Sequence, residues 1–193
     1  MKNRLIILLV IFLFSHGCSS SSGTWGWYVI DPSTKAGWTN IKFLIGGFYA
    51  TIALSLIAAV LSIILGLVVA IPGISDNKLL RAINRIYVEF IRAIPLLPML
   101  FWVFYGLPVI FKSMGLNIQI DAFWGAIITL AISDSAFTAE IFRAGIQSIA
   151  RGQTEAAQTI GLSYFQTMRY VILPQALRRI LPPLANQFIY IVK

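Results

Sequence analysis

Long apolar runs separated by short polar segments dominate the pattern of this chain. Three runs are long enough to cross a bilayer as helices, at residues 43–71, 94–111 and 122–142. A fourth begins near residue 180 and is shorter than a full span. Residues 81–92 instead place apolar and charged side chains on opposite faces of a helix, which predicts an amphipathic helix at the cytoplasmic surface. The pattern predicts an all-α, polytopic membrane protein.

The N-terminal residues 1–18 have the layout of a secretory signal. Basic residues precede a short apolar stretch, which is followed by Gly17 and Cys18. Three alternatives fit this layout: lipidation at Cys18, an ordinary cleaved signal, and an uncleaved signal anchor. In each case, residues 19–42 are expected to form a polar and aromatic segment outside the cytoplasm.

The placement of charge predicts which loops face the cytoplasm. The formal net charge is +8, and most cations flank the apolar runs. Lys35, Lys42 and Lys112 fall on one side, and the remaining cations from Lys2 to Arg179 fall on the opposite side, which the positive-inside rule assigns to the cytoplasm. This places a polar loop at residues 143–179 in the cytoplasm. Cations that flank membrane spans also argue against a nucleic-acid partner.

Several kinds of chemistry are disfavoured by the residues present. One Cys and one His cannot supply a disulfide framework or a metal cluster. A glycine-rich phosphate loop ending in Lys-Ser or Lys-Thr is also missing from the sequence. We therefore expect a non-enzymatic chain with no catalytic residue, no bound cofactor and no metal, and we expect a partner to handle any ATP.

The polar loop predicts two short helices joined by a glycine corner. Thr154 is the expected N-cap of the first helix, and Gly161 is a suitable left-handed terminator. Ser163 and Gln166 have the spacing of a capping box, which predicts a second helix that Pro174 interrupts.

The loop resembles the EAA loop of bacterial ATP-binding-cassette (ABC) importer permeases. The resemblance rests on spaced residues that we expect to form the coupling loop for an ATPase: Glu155, Ala156, Ala157, Gly161, Leu173 and Pro174. In that family the short helix of the loop docks into a cleft on the ATP-hydrolysing subunit. Val171 stands where the family usually has Ile.

From residue 43 to residue 193 the order of features is similar to permeases that import polar amino acids. The resemblance implies a type I permease helical bundle in the bacterial inner membrane. Family members normally continue beyond the residues matched here, so we expect the C-terminal helix region to be missing. The resemblance also implies several partners: ABC ATPase subunits, a second permease subunit in a homo- or heterodimer, a periplasmic or surface-tethered amino acid binding protein, and membrane lipid.

Asp134 is an unusual acid within the third span. Ser133, Ser135 and Thr138 lie close to it in the sequence, and a carboxylate inside a membrane is costly unless it has a function or a partner. We hypothesise that Asp134 faces the substrate pathway and attracts a cationic group of an amino acid. The equally weighted alternative is a structural acid that is paired with a backbone donor or with a polar group of a neighbouring helix.

Glu140 and Arg143 are three residues apart at the inner end of the same span. This spacing predicts a structural ion pair on one helix face.

The function favoured by these observations is that of a transmembrane permease subunit in an ATP-driven importer of a polar or charged amino acid. An ion-coupled secondary transporter of small polar solutes is the alternative, but it would have no need for the spaced cytoplasmic loop. A membrane-tethered lipoprotein is suggested by Cys18 and disfavoured by the three spans.

Overall fold

The computed structural model describes residues 26–192, and the secondary structure of these residues is helical. The signal-like segment and Cys18 lie outside the described residues. The α-helices are α1 Lys35–Ile74, α2 Lys78–Ala93, α3 Leu96–Phe101, α4 Leu107–Ser113, α5 Ala122–Gln147, α6 Arg151–Thr159, α7 Tyr164–Thr167 and α8 Leu173–Val192. A π-helical segment, Trp102–Gly106, joins α3 to α4, and a second, Met168–Ile172, joins α7 to α8. The prediction of an all-α fold is confirmed.

Three of the described helices are long and apolar enough to cross a membrane: Lys35–Ile74, Leu96–Ser113 and Ala122–Gln147. They coincide with the three predicted spans. The first begins at Lys35 rather than near residue 43, and it includes Pro72. The difference arises because hydropathy locates the apolar part of a helix, whereas backbone hydrogen bonds continue through flanking polar residues.

The chain divides into two compact units, of which the first ends at Phe48 and the second begins at Tyr49. In the first unit a 3₁₀ turn, Trp27–Ile30, precedes α1. The Asp31 carboxylate accepts hydrogen bonds from the Ser33 hydroxyl at 2.7 Å and the Ser33 N–H at 2.9 Å. These bonds hold the pKa of Asp31 below its ordinary value, so the turn keeps its charged acceptor to a lower pH than an isolated aspartate would.

In the second unit, α2 packs against α5 and is held to both neighbouring spans by polar side chains. Asn84 donates to the Val69 carbonyl of α1 at 2.5 Å, and the Tyr87 hydroxyl lies 2.9 Å from Ser135 Oγ of α5. The expectation that this helix lies at the cytoplasmic surface stays a prediction, and the structure adds these contacts with α1 and α5. Its most apolar stripe, formed by Leu79, Ile83, Ile86 and Phe90, is exposed, and the face that carries Asn84, Val88 and Ile91 is buried.

The contact between α5 and α8 holds the two ends of the polar loop together. Ile149, Ile172, Ala176 and Ile180 form a buried cluster. Gly145 allows this close approach, because a Cβ atom at that position would overlap Cγ1 of Ile180. The Arg179 guanidinium adds a hydrogen bond of 2.5 Å to the Ser148 carbonyl.

Both π segments end immediately before a Leu-Pro pair, Leu107-Pro108 and Leu173-Pro174. In each pair the Leu N–H donates to a carbonyl five residues back, that of Trp102 or Met168. Since the wider turn makes room for the proline ring, the helix continues past it. The prediction that Pro174 interrupts the helix was therefore wrong, because α8 runs from Leu173 to Val192.

Replacement of Gly145 by alanine is expected to destabilise the α5–α8 contact. The added methyl group would overlap Ile180, whose β-branched side chain has little freedom to move in a helix. We expect a loss of about 1–3 kcal/mol in the free energy of unfolding. Thermal unfolding of the purified protein in detergent would measure this loss.

The control is Gly46→Ala, because a Cβ atom at Gly46 meets no atom within 4 Å. In a double-mutant cycle with Ile180→Ala, the loss in the double variant should be smaller than the sum of the two single losses, because the overlapping atom is gone. Equal melting temperatures for Gly145→Ala and Gly46→Ala would contradict the close-approach explanation.

Candidate coupling site and intramembrane polar site

The first helix of the polar loop is α6, which begins at Arg151 after Ala150 as the N-cap residue. Thr154 is therefore inside the helix, and its prediction as the N-cap was wrong. The helix starts a turn earlier because Gln153 N–H already donates to the Ala150 carbonyl at 2.9 Å. The side chain of Gln153 also accepts a 3.1 Å hydrogen bond from Gln175 of α8, which connects this first turn to that helix.

Gly161 ends α6 in the left-handed conformation, with φ of 83°. The Gly161 N–H donates to the Gln158 carbonyl at 2.9 Å, and the Leu162 N–H donates to the Ala157 carbonyl at 3.1 Å. This pair of bonds is the Schellman motif, in which glycine is favoured because a Cβ atom strains the left-handed backbone. The predicted glycine terminator is confirmed.

A capping box starts the helix after the glycine corner. The Ser163 hydroxyl accepts from the Gln166 N–H at 3.3 Å, and the Gln166 side-chain oxygen accepts from the Ser163 N–H at 2.9 Å. The predicted capping box is confirmed. Both sides of the corner are thus fixed by local hydrogen bonds, which gives the loop a defined shape.

Most of the predicted coupling residues lie on the surface of the chain. Glu155, Ala156, Gly161, Leu173 and Pro174 are exposed. Ala157 is only 3% exposed, so its assignment to the ATPase contact is corrected. Its methyl group faces its own chain because α6 packs on α7 and the second π segment.

The structure exposes two large apolar side chains beside the glycine corner that our sequence-based prediction of the coupling site did not include. Ile160 is 77% exposed and Phe165 is 71% exposed. Their signal in the sequence is the occurrence of bulky apolar residues in an otherwise polar loop. Together with Glu155, Ala156 and Gly161, they form what we call the loop surface.

The structure connects Asp134 to α8, the helix that follows the polar loop. Asp134 is buried, its Oδ1 accepts a hydrogen bond from the Gln187 amide of α8, and its Oδ2 accepts one from Thr138 Oγ1 at 3.3 Å. Ser135 instead meets Tyr87 of α2. These partners offset the cost of burying a carboxylate.

Asp134 also lines a cavity of about 550 Å³ between α2, α3, α5 and α8. Ser133, Arg92 and Gln187 contribute polar groups to its wall, whereas Ser135 and Thr138 do not line it. The Arg92 guanidinium lies 4.9 Å from the centre of the Phe137 ring. The cavity therefore combines an acid, a base and uncharged polar groups with apolar walls.

Glu140 and Arg143 lie together at the inner end of α5. Arg143 Nε donates to Glu140 Oε2 at 2.9 Å, and Nη2 donates to the other carboxylate oxygen. Nη1 of Arg143 donates to the Gln147 side chain at 2.5 Å. The two-point contact orients both side chains along one helix face.

The family of binding-protein-dependent transport system inner membrane components matches residues 62–193. The probable glutamine ABC transporter permease protein GlnM of Bacillus subtilis is 44% identical over 154 residues, which are 80% of this chain and 68% of GlnM. The L-cystine transport system permease protein TcyB of the same species is 40% identical over 150 residues, covering 78% of this chain and 62% of TcyB.

The chain is also similar in structure to solved ABC transporters. A crystal structure of an amino acid ABC transporter with histidines contains a chain that superposes with a TM-score of 0.69 at 37% identity, covering 80% of this chain and 71% of that one. An inward-facing MetNI methionine ABC transporter gives a TM-score of 0.63 at 25% identity, covering 77% of this chain and 69% of that one.

Replacement of Gly161 by alanine should destabilise the loop by about 1 kcal/mol, because a non-glycine residue strains the left-handed backbone. Gly161→Asn should cost less, since Asn tolerates this conformation. The control is Gly152→Ala in α6, where the exchange is neutral or favourable to the helix. Thermal unfolding would rank the three variants, and a melting temperature for Gly161→Ala at or above that of Gly152→Ala would refute the prediction.

Proposed function

Since this chain belongs to the family of binding-protein-dependent transport system inner membrane components, we propose that it carries a polar or charged amino acid across the membrane in an ATP-driven importer. It is a multi-pass inner membrane permease subunit of the amino acid ABC importer class. The proposed cargo is supported by relatives named for glutamine and L-cystine transport. The proposed ATP dependence is supported above all by the exposed helix–glycine–helix loop.

The loop surface is the proposed docking site for an ATPase subunit. Its small residue Ala156 allows close approach of a partner, and Ile160 and Phe165 offer apolar area that would be buried on docking. Ala157 supports this surface from beneath rather than contacting the partner. The role of the permease in this step is mechanical, and the ATP would be bound and hydrolysed by the partner.

Hydrogen bonds connect α6 to α8, and α8 to α5, so a movement of α6 would be transmitted to both helices. Gln153 of α6 is hydrogen-bonded to Gln175 of α8, and Arg179 of α8 is hydrogen-bonded to the end of α5. Displacement of α6 by an ATPase would therefore shift α5 and α8, which also carry Asp134 and Gln187. We propose that this connection changes access to the cavity that these two residues line.

The cavity beside Asp134 is the proposed substrate pathway. Its volume of about 550 Å³ lies in the range of small-molecule sites. The carboxylate would attract the cationic group of an amino acid, while its bonds to Gln187 and Thr138 hold it in place. A second permease subunit, two ATPase subunits and an external binding protein complete the proposed importer.

The docking proposal predicts that Ala156→Arg separates the permease from its ATPase. The large charged side chain would prevent close approach on the loop surface but would meet no buried group of this chain. We expect recovery of the co-purified ATPase and ATP-dependent uptake in proteoliposomes to fall about tenfold or more. The melting temperature of the permease should be unchanged.

The matched control is Ala36→Arg, an exposed alanine near the start of α1 that the predicted topology places on the opposite side of the membrane. Normal ATPase recovery and uptake in Ala156→Arg would overturn the docking proposal. Uptake driven by an ion gradient without ATP would favour the secondary-transporter alternative.

The pathway proposal predicts that Asp134→Asn lowers uptake by about tenfold, because the cationic group of the substrate loses its counter-charge. The amide is close in size to the carboxylate and retains an acceptor oxygen for Gln187. Radiolabelled amino acid uptake would be compared with that of Asp121→Asn, which removes an acid at the N-cap of α5 and leaves a good capping residue. Unchanged uptake and substrate ranking in Asp134→Asn would refute the pathway role.

A further inference from the structure

The charged face of α2 borders a second cavity, of about 680 Å³, at the predicted inner ends of the spans. We call this cavity the inner groove. Its cationic wall residues come from α2 and from the end of α5: Lys78, Arg81, Arg85, Arg92 and Arg143. Its acidic wall residues are Glu89 and Glu140. Five cations and two acids leave a formal charge of +3, which favours an anionic occupant.

Most of these charges already have a partner within the chain. Glu140 binds Arg143, Glu89 lies 3.9 Å from Arg85, and Arg92 lies over the Phe137 ring. In residues 26–192, Lys78 and Arg81 have neither a hydrogen-bond nor an ion-pair partner for their side chains. These two cations are therefore the ones available to an anion from outside the chain.

The exposed apolar stripe of α2 runs along the same helix as these two cations. Leu79 is 68% exposed at the end that carries Lys78 and Arg81, and the stripe continues through Ile83 and Ile86 to Phe90. The stripe residues do not line the inner groove, so they lie on a different face of α2. Since α2 begins on the predicted cytoplasmic side, its free cations are expected at the level of the lipid headgroups.

We propose that the inner groove binds an anionic phospholipid of the cytoplasmic leaflet. The phosphate of the headgroup would accept charge-assisted hydrogen bonds from Lys78 and Arg81, which line the groove. The predicted topology places the groove at the cytoplasmic ends of the spans, where anionic headgroups of the inner leaflet are the nearest source of a phosphate group. The charge of the groove and its predicted position therefore favour a lipid over a soluble phosphate compound.

The test uses the purified permease in detergent and three probes: phosphatidylglycerol, phosphatidylcholine and inorganic phosphate. Phosphatidylglycerol should raise the melting temperature of the wild-type protein, and the other two probes should not. In Lys78→Gln/Arg81→Gln, we expect phosphatidylglycerol binding, counted as lipid adducts by native mass spectrometry, to weaken on the order of tenfold.

The matched control is Lys35→Gln/Lys112→Gln, which removes the same charge from exposed positions on the predicted outer side and should bind lipid normally. The conservative variant Lys78→Arg/Arg81→Lys should also keep binding, because it retains both charges. Equal lipid binding in the two Gln double variants would overturn the proposed site. Stabilisation by inorganic phosphate equal to that by phosphatidylglycerol would overturn the lipid as its occupant. Both readouts are independent of transport, so they do not depend on the proposed function.

Discussion

The close contact between Gly145 of α5 and Ile180 of α8 is the constraint on which the rest of the functional structure depends. It brings together the two helices that flank the polar loop, and the buried cluster of Ile149, Ile172 and Ala176 closes the space between them. Because its ends are fixed in this way, the loop presents a surface of defined shape. The two helices that form this contact also carry Asp134 and Gln187, the polar pair farther along them.

Within the spans, α5 satisfies its polar side chains by contacts with helices on two sides. Asp134 accepts a hydrogen bond from Gln187 of α8, while Ser135 meets Tyr87 of α2. Each bond lowers the cost of a polar group away from water and also fixes the position of one helix against another. The Asp134 cavity and the inner groove lie along these helices, and Arg92 lines both. The same interhelical hydrogen bonds therefore hold the helices together and position the residues that line the two cavities.

Features formed by residues that are close together in the chain could be predicted from the sequence. The apolar runs indicated three spans, since hydrocarbon thickness sets the length of a membrane helix. Gly161 and the Ser163–Gln166 capping box were predicted for a similar reason, because residues close in the chain form these hydrogen bonds. The start of α6 was missed, because hydrogen bonding of Gln153 to Ala150 and Gln175 begins the helix before Thr154.

The sequence by itself determined the helical class, the spans and the shape of the glycine corner, because membrane thickness and local hydrogen bonds control them. The tertiary structure alone decided which side chains are available at those places. It buried Ala157 beneath the loop surface, left Ile160 and Phe165 exposed, and turned the most apolar stripe of α2 outward. It also paired Asp134 with Gln187, which lies 53 residues away. Such contacts depend on how distant helices pack, and no local pattern of residues encodes that packing.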